Sequence, residues 1–199
     1  NCENNRDERS RYLLVENRKV ENYVDMALYY ARMDAVYKDY MIAESNLQEV
    51  AQQVLLQNKY YLIQSHVKAE VACPDTVYSD KKWIAFILNQ LIQNSVKYGR
   101  SEGTHIQIVT KKTKSGVLLW VKDDGIGIPK EELPRIFEKG FTGTNGRNRE
   151  RSTGMGLYLC RKLCDKLNIE IRAESAEGKG TEIILMFPVS DYLTGYRET

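Results

Sequence analysis

The sequence has little charge of one sign: 29 lysines and arginines stand against 27 aspartates and glutamates, a formal charge of +2 over 199 residues. A sequence-independent grip on phosphates needs a concentrated basic surface, so no nucleic acid partner is expected. Histidine is scarce, with only His66 and His105, and neither completes a metal spacing. The four cysteines, Cys2, Cys73, Cys160 and Cys164, are scattered and read as buried free thiols of a reducing compartment rather than as a disulfide framework. No apolar run approaches the roughly 20 residues that cross a bilayer, and the polar start NCENNRDERSR is unlike a signal peptide. The chain therefore reads as cytoplasmic, and its start without methionine reads as a piece of a longer protein. Two further signatures are missing: nothing matches GxxxxGK followed by Ser or Thr, and there is no HRD or DFG pair. Those absences speak against a P-loop nucleotidase and against a serine, threonine or tyrosine kinase.

What is present is an ordinary globular composition, 42% hydrophobic and 28% charged. From about Asp7 to Met33, the positions Leu13, Val20 and Ala27 recur at heptad spacing, with Val24, Leu28 and Ala31 in the same stripe. That pattern predicts a long amphipathic helix, suited to a bundle or else folded back on its own domain. Tyr37 to Glu44 predicts a short strand, and Ser45 with Gln48 forms a capping box for a helix through Leu47, Val50, Ala51, Val54 and Leu55 to about Ser65. A strand at Val67 to Val71, a helix at Asp80 to Tyr98 and a hairpin, His105 to Lys112 then Val117 to Lys122, come next. After a glycine-rich stretch follow a helix from Gly156 to Leu167 and two strands, Ile169 to Ala173 and Thr181 to Phe187. The order predicts an α+β fold, a two-layer sandwich of helices and a mixed, mostly antiparallel sheet, preceded by a long helix. Residues 1–36 and 37–199 are expected to be separate units, with the boundary near Met33 to Tyr37.

Several stretches carry chemistry. On the helix containing NQLIQNSVKYG, the residues Ile84, Leu88, Leu91, Ile92 and Ser95 form an apolar stripe, while Gln90, Asn94, Lys97 and Tyr98 gather on the other side. An amide, a cation and an aromatic ring suit a metal ion, a phosphate and a flat base; the alternative is simply the solvated side of a helix. In VKDDGIGI a strand ends at Asp123 and runs into Gly125 and Gly127. A buried carboxylate only accepts, so it can receive the exocyclic amine of adenine, and glycine lets backbone approach a ligand. A plain Asp-Gly turn is the alternative there. RSTGMGLYLC sets Gly154 and Gly156 before a helix, where free amides attract phosphate. The intervening FEKGFTGTNGRNRERSTG, with Gly140, Gly143 and Gly146 and with Lys139, Arg147, Arg149 and Arg151, suits a lid over a polyphosphate or a solvated loop. GKGTEIILMFP, with Gly178 and Gly180 leading into Thr181, closes the set.

Taken in order, NQLIQNSVKYG, DDGIGI, the Phe137 and Phe141 region, STGMGLYL and GKGTEI resemble the N, G1, F, G2 and G3 boxes of sensor histidine kinases, over about Tyr37 to Pro188. DKKWIAFILNQLIQNSVKY and EKGFTGTNGR look closest to the short-input kinases of Gram-positive bacteria that respond to antimicrobial peptides. The fold this implies is the ATP-binding sandwich shared with gyrase B, Hsp90 and MutL, and the cofactors are ATP and Mg²⁺. By the same resemblance Asn94 is the Mg²⁺ ligand, Lys97 a phosphate contact, Tyr98 a wall of the base pocket and Asp123 the acceptor of the adenine amine. Gly125, Gly127 and Ile128 would shape the floor. Phe137, Lys139, Gly140, Phe141 and Arg147 would belong to the lid side. Thr153, Gly154, Met155, Gly156 and Leu157 would form the phosphate-facing turn, with Thr181 at the G3 end. Gln90 departs from the asparagine common at the first N-box position but keeps an amide.

Neither His66 nor His105 is followed by the acid and the threonine or proline usual at the phosphorylated site. ENYVDMALYYARMD resembles the second helix of the dimerisation hairpin, so the phosphoacceptor histidine is expected upstream and no catalytic residue within this chain. The activity implied is transfer of the γ-phosphoryl group to that histidine, then relay to the receiver domain of a response regulator. The implied parent is a homodimeric, membrane-anchored sensor with a transporter or other membrane partner, of which this chain is a cytoplasmic part. Two rivals stand beside it: an ATPase of the gyrase or Hsp90 kind, which needs a glutamate where Gln90 stands, and a nucleotide-sensing or dimerising module without transfer activity.

Overall fold

The computed structural model describes residues 40–144 and 153–189, together with 13, 16, 17, 20, 21, 23, 24 and 26–30 of an N-terminal helix. In chain order come β1 (Ala43–Asn46), α1 (Leu47–Gln57), α2 (Lys59–Gln64), β2 (Val67–Ala72), β3 (Thr76–Ser79) and α3 (Lys81–Lys97). Then follow β4 (Thr104–Thr113), β5 (Gly116–Asp123), a 3-10 turn at Leu133–Arg135, α4 (Gly156–Lys166), β6 (Glu170–Ala176) and β7 (Gly180–Pro188). The main sheet has the order β2-β4-β5-β7-β6; only β2 and β4 run parallel, and β1 pairs separately with β3. This is the expected α+β sandwich with its mostly antiparallel sheet.

Period-2 alternation on β4 turns Thr104, Ile106 and Ile108 inward. Together with Leu119, Ile171 and Leu185, Ile106 and Ile108 meet Ile84, Leu88 and Ile92 of α3 and Leu159 and Leu163 of α4 in one core. Each such side chain contributes about 1.5–3 kcal/mol through burial, so the two helices are fixed on one sheet face. Helix α3 starts sharply because the Asp80 carboxylate accepts from the N–H groups of Lys82 (2.9 Å) and Trp83 (3.3 Å). Its other end, Asn94 to Tyr98, is thereby delivered to the end of β5.

Three local expectations need correction. The strand expected at Tyr37 to Glu44 is Ala43–Asn46 instead; residues 40–42 lie outside it, and 37–39 lie outside the described residues. Ser45 is not the helix cap. Its hydroxyl is buried in the β1–β3 ribbon and donates to the Ser79 carbonyl, while Asn46 caps α1 by accepting from Glu49 N and Gln48 accepts from Cys73 N. The helix expected to run to Ser65 breaks at Asn58, whose side-chain amide donates to the Val54 carbonyl and to Asn89. A side chain that binds helix carbonyls competes with the ladder. Strand β3 is an addition that the periodicity of so short a segment does not announce. The proposed domain boundary lies outside the described residues.

The N-terminal helix turns two faces in different directions. Met26, 8% exposed, and Tyr29 pack on the main domain, where the Tyr29 ring lies 4.7 Å from Trp83 and 4.5 Å from Phe86 between centroids. Leu13, Val20, Val24, Ala27 and Leu28 are exposed along the other face. Cys73, Cys160 and Cys164 are free and buried, and burial pushes the Cys73 thiol up to about 11 and Cys164 up to about 12; Cys2 lies outside the described residues.

Candidate functional site

Two adjoining clefts open between α3, the loop after β5 and the start of α4. The inner one is lined by Ser95, Asp123, Gly127, Ile128, Thr142 and Thr181 among others, the outer one by Gln90, Lys97, Thr153, Gly154 and Gly156. Asn94, Tyr98, Ile136, Phe141 and Leu157 border both. A largely apolar slot bordered by two carboxylates, Asp123 and Glu132, thus runs continuously into a polar mouth with an amide, a cation and glycine backbone.

Asp123 ends β5, and its carboxylate is held from three sides. Oδ1 accepts from Gly125 N (3.0 Å) and Thr181 N (3.2 Å), and Oδ2 accepts from the Ser95 hydroxyl (2.8 Å). Burial raises its pKa above the ordinary carboxylate value against the lowering effect of these bonds. Asp123 is therefore more than a turn residue. The loop behind it is tied down by Ile126 N to the Tyr98 carbonyl (3.0 Å), Gly178 N to the Ile126 carbonyl (2.7 Å) and Ile128 N to Ser175 Oγ (2.9 Å). A carboxylate and a floor fixed this way are preorganised before any ligand arrives.

The polar side of α3 is half-buried at Asn94, Lys97 and Tyr98 and buried at Gln90. Gln90 is only 4% exposed, and a Cβ added to Gly156 would lie 3.0 Å from its Oε1, so the amide faces the start of α4. Ser95, assigned by periodicity to the apolar stripe, is instead the donor to Asp123 across a separation of 28 residues. Ser95→Ala should weaken ligand binding in the inner cleft by about 0.5–1.5 kcal/mol and raise the Asp123 pKa further, since the lost bond favoured the anion. NMR titration of the Asp123 carboxyl, with calorimetry on the same variant, checks both; an unmoved titration removes Ser95 from the site.

Other expected residues fall elsewhere. Phe137 and Met155 pack against the hydrophobic core, and Gly125 serves as a donor to Asp123 where a Cβ would press on the Tyr98 carbonyl at 2.6 Å. Lys139 and Gly140 border a recess with Arg135 and Glu138 that shares Phe141, Thr142 and Gly143 with the inner cleft, and the Lys139 ammonium donates to the Tyr30 hydroxyl of the N-terminal helix. Arg147 lies outside the described residues, as do Gly146, Arg149 and Arg151. Sequence reasoning missed Ile136 and Glu132 in the inner cleft and Tyr23, Met26 and Tyr61 at the outer mouth.

No group of three His, Cys, Asp or Glu among the described residues could hold a metal by itself. The amide oxygens of Gln90 and Asn94 are hard donors. They fit a cation such as Mg²⁺ that keeps several waters and takes its remaining ligands from substrate phosphates.

Residues 79–191 match the family model described as histidine kinase-, DNA gyrase B-, and HSP90-like ATPase. The chain is similar to the sensor protein kinase GraS of Staphylococcus aureus (strain Newman), 36% identical over 189 residues, covering 92% of this chain and 53% of that protein. It is also similar to the sensor histidine kinase YxdK of Bacillus subtilis (strain 168), 34% identical over 174 residues, covering 86% of this chain and 54% of the relative. The chain thus spans about half the length of the curated relatives it matches. Among solved structures, the catalytic domain of histidine kinase ThkA superposes with a TM-score of 0.64 at 26% identity, covering 74% of this chain and 97% of that one.

Proposed function

The chain belongs to the histidine kinase-, DNA gyrase B- and HSP90-like ATPase family, and from that premise we propose that it is the catalytic part of a sensor histidine kinase. It binds Mg-ATP and presents the γ-phosphoryl group to a histidine on another helix, for relay to a response regulator. The observation that carries the reading is the half-buried, hydrogen-bonded Asp123 carboxylate at the inner end of a cleft whose outer end holds Asn94, Lys97 and the Gly154 to Gly156 turn.

Asp123 accepts the exocyclic amine of adenine, the only polar anchor the flat base needs in an apolar slot. Tyr98, Ile136 and Phe141 flank the base, with the Arg135 guanidinium 4.6 Å from the Phe141 ring centroid on its other side. Lys97 and the backbone N–H groups before α4 hold phosphate oxygens. Asn94 offers its amide oxygen to Mg²⁺, with Gln90 next to it; the ion supplies charge neutralisation to the phosphates. Phosphoryl transfer from ATP depends on such positioning and neutralisation more than on protein nucleophiles. Gln90 also favours transfer over water attack, because an amide is no general base where an ATPase of the gyrase or Hsp90 kind needs a glutamate.

The exposed apolar stripe of the N-terminal helix suits one half of a dimerisation hairpin, with homodimerisation through the same bundle in a longer, membrane-anchored protein. Among the described residues no helix is long and apolar enough to cross a membrane. The parent's transporter or membrane partner is part of the same reading.

Incubated with Mg²⁺ and ATP radiolabelled at its γ-phosphate, the chain should not label itself but should label a separately supplied helical hairpin bearing a histidine beside an acid. The label should be acid-labile, and ATP binding by calorimetry should be lost in EDTA. Label on His66 or His105 would contradict the reading. Binding without any transfer would favour the nucleotide-sensing module, and release of phosphate without labelled hairpin would favour the ATPase.

A further inference from the structure

Glu132 stands at the junction of the two halves of the inner cleft. It follows the floor residues Ile128 and Pro129 through a turn closed by its own N–H on the Pro129 carbonyl (3.0 Å). From there Oε1 of its carboxylate accepts from both the backbone N–H (2.8 Å) and the hydroxyl (2.6 Å) of Thr144. Thr142 and Gly143, which precede Thr144, border the inner cleft together with Glu132 itself. Gly143 has φ +59°, and a Cβ there would lie 2.4 Å from Glu132 Oε2. The missing side chain is what lets this wall close onto the carboxylate.

We infer that Glu132 is a positioning residue for nucleotide binding: by holding Thr144, it keeps the Phe141 to Gly143 wall against the base. The inference rests on the ATP-binding reading of the cleft. Two bonds to a carboxylate acceptor are stronger than neutral ones, and they join segments twelve residues apart that both border the inner cleft. The carboxylate touches the wall, and the wall touches the base; Glu132 acts through Thr144 and not on the reacting atoms.

The test is calorimetry of the whole chain with ADP, on wild type, Glu132→Ala, Glu132→Gln, Thr144→Val and the Glu132→Ala/Thr144→Val double variant. Glu132→Ala should weaken ADP binding about five- to twentyfold, and Glu132→Gln, which keeps an acceptor oxygen, should stay within about threefold of wild type. Thr144→Val should cost less than Glu132→Ala because the backbone N–H remains. In the double variant the two losses should fall well short of multiplying, since both remove one interaction. Fully multiplicative losses would overturn the proposal in favour of a direct contact of Glu132 with the ligand. Wild-type affinity in Glu132→Ala would overturn it outright. Failure of the wild type itself to bind ADP would instead remove the nucleotide reading, and this proposal with it.

Discussion

Asp123→Asn should lose ATP affinity by about 1.5–3 kcal/mol, roughly ten- to a hundredfold, while the ligand-free protein unfolds no more easily than wild type. The three protein contacts can all survive the change. The new Oδ1 still accepts from Gly125 N and Thr181 N, and the new Nδ2 donates to Ser95 Oγ, whose hydroxyl accepts as readily as it donates. What the amide cannot do is accept the adenine amine where an NH₂ group now stands. Two donors face each other, and the charge that strengthened the bond is gone.

The stability half of the prediction follows from the direction of the pKa. Burial raises the carboxyl of Asp123, so the folded chain holds that proton more tightly than the unfolded chain does. Stability from this group therefore falls as pH climbs from the ordinary carboxylate value through the raised one, and at neutral pH the anion is a cost to the empty fold. Asparagine removes that cost. In wild type, ATP affinity should in turn fall on acidification at a pH above the ordinary carboxylate range, and Asp123→Asn should flatten that dependence. Calorimetry across pH, with thermal unfolding of the same variant, measures both. Unchanged affinity with an intact fold would remove Asp123 from the site.

Gly127→Ala should have the larger effect on the fold. The residue sits at φ +71°, and an added Cβ would lie 2.0 Å from the Ala176 carbonyl oxygen, a backbone atom at the end of β6. Left-handed backbone costs alanine roughly 1–2 kcal/mol, and the contact can be relieved only by parting the loop from the β6–β7 turn. That parting breaks the bond from Gly178 N to the Ile126 carbonyl and unseats the floor beneath the base. A total of about 3 kcal/mol or more is expected, lowering the unfolding midpoint by about 6 to 12 °C, with nucleotide binding lost in the fraction that folds. Gly178→Ala is the control. Its φ of +74° carries the same backbone cost, but nothing lies within 4 Å of the added atom. Equal midpoints for the two variants would show that the crowding against Ala176 is not what requires glycine at 127.

The resemblance to the kinase boxes put Asn94, Asp123 and Gly127 in one chemistry; periodicity and glycine spacing alone determined that α3 and α4 are helices and that β4 and β5 form a hairpin. These are local properties. An apolar repeat or a glycine constrains its own few residues whatever surrounds them, and the order of the boxes carried the family. Which side chains actually meet was decided by the tertiary structure. Ser95 shares its register with the apolar stripe, and only the placement of β5 beside α3 makes it the donor to Asp123. Phe137 and Met155 carry the right motif positions but pack, half-buried, against the core, because spacing fixes a residue's type and not its direction. Gln90 reads as solvated until α4 packs over it. Glu132 and Thr144 meet only because the 3-10 turn at Leu133–Arg135 folds one segment bordering the cleft back toward the other. Pairings of this kind join segments far apart in sequence, and their free energy comes from one shared core rather than from any segment's own preference.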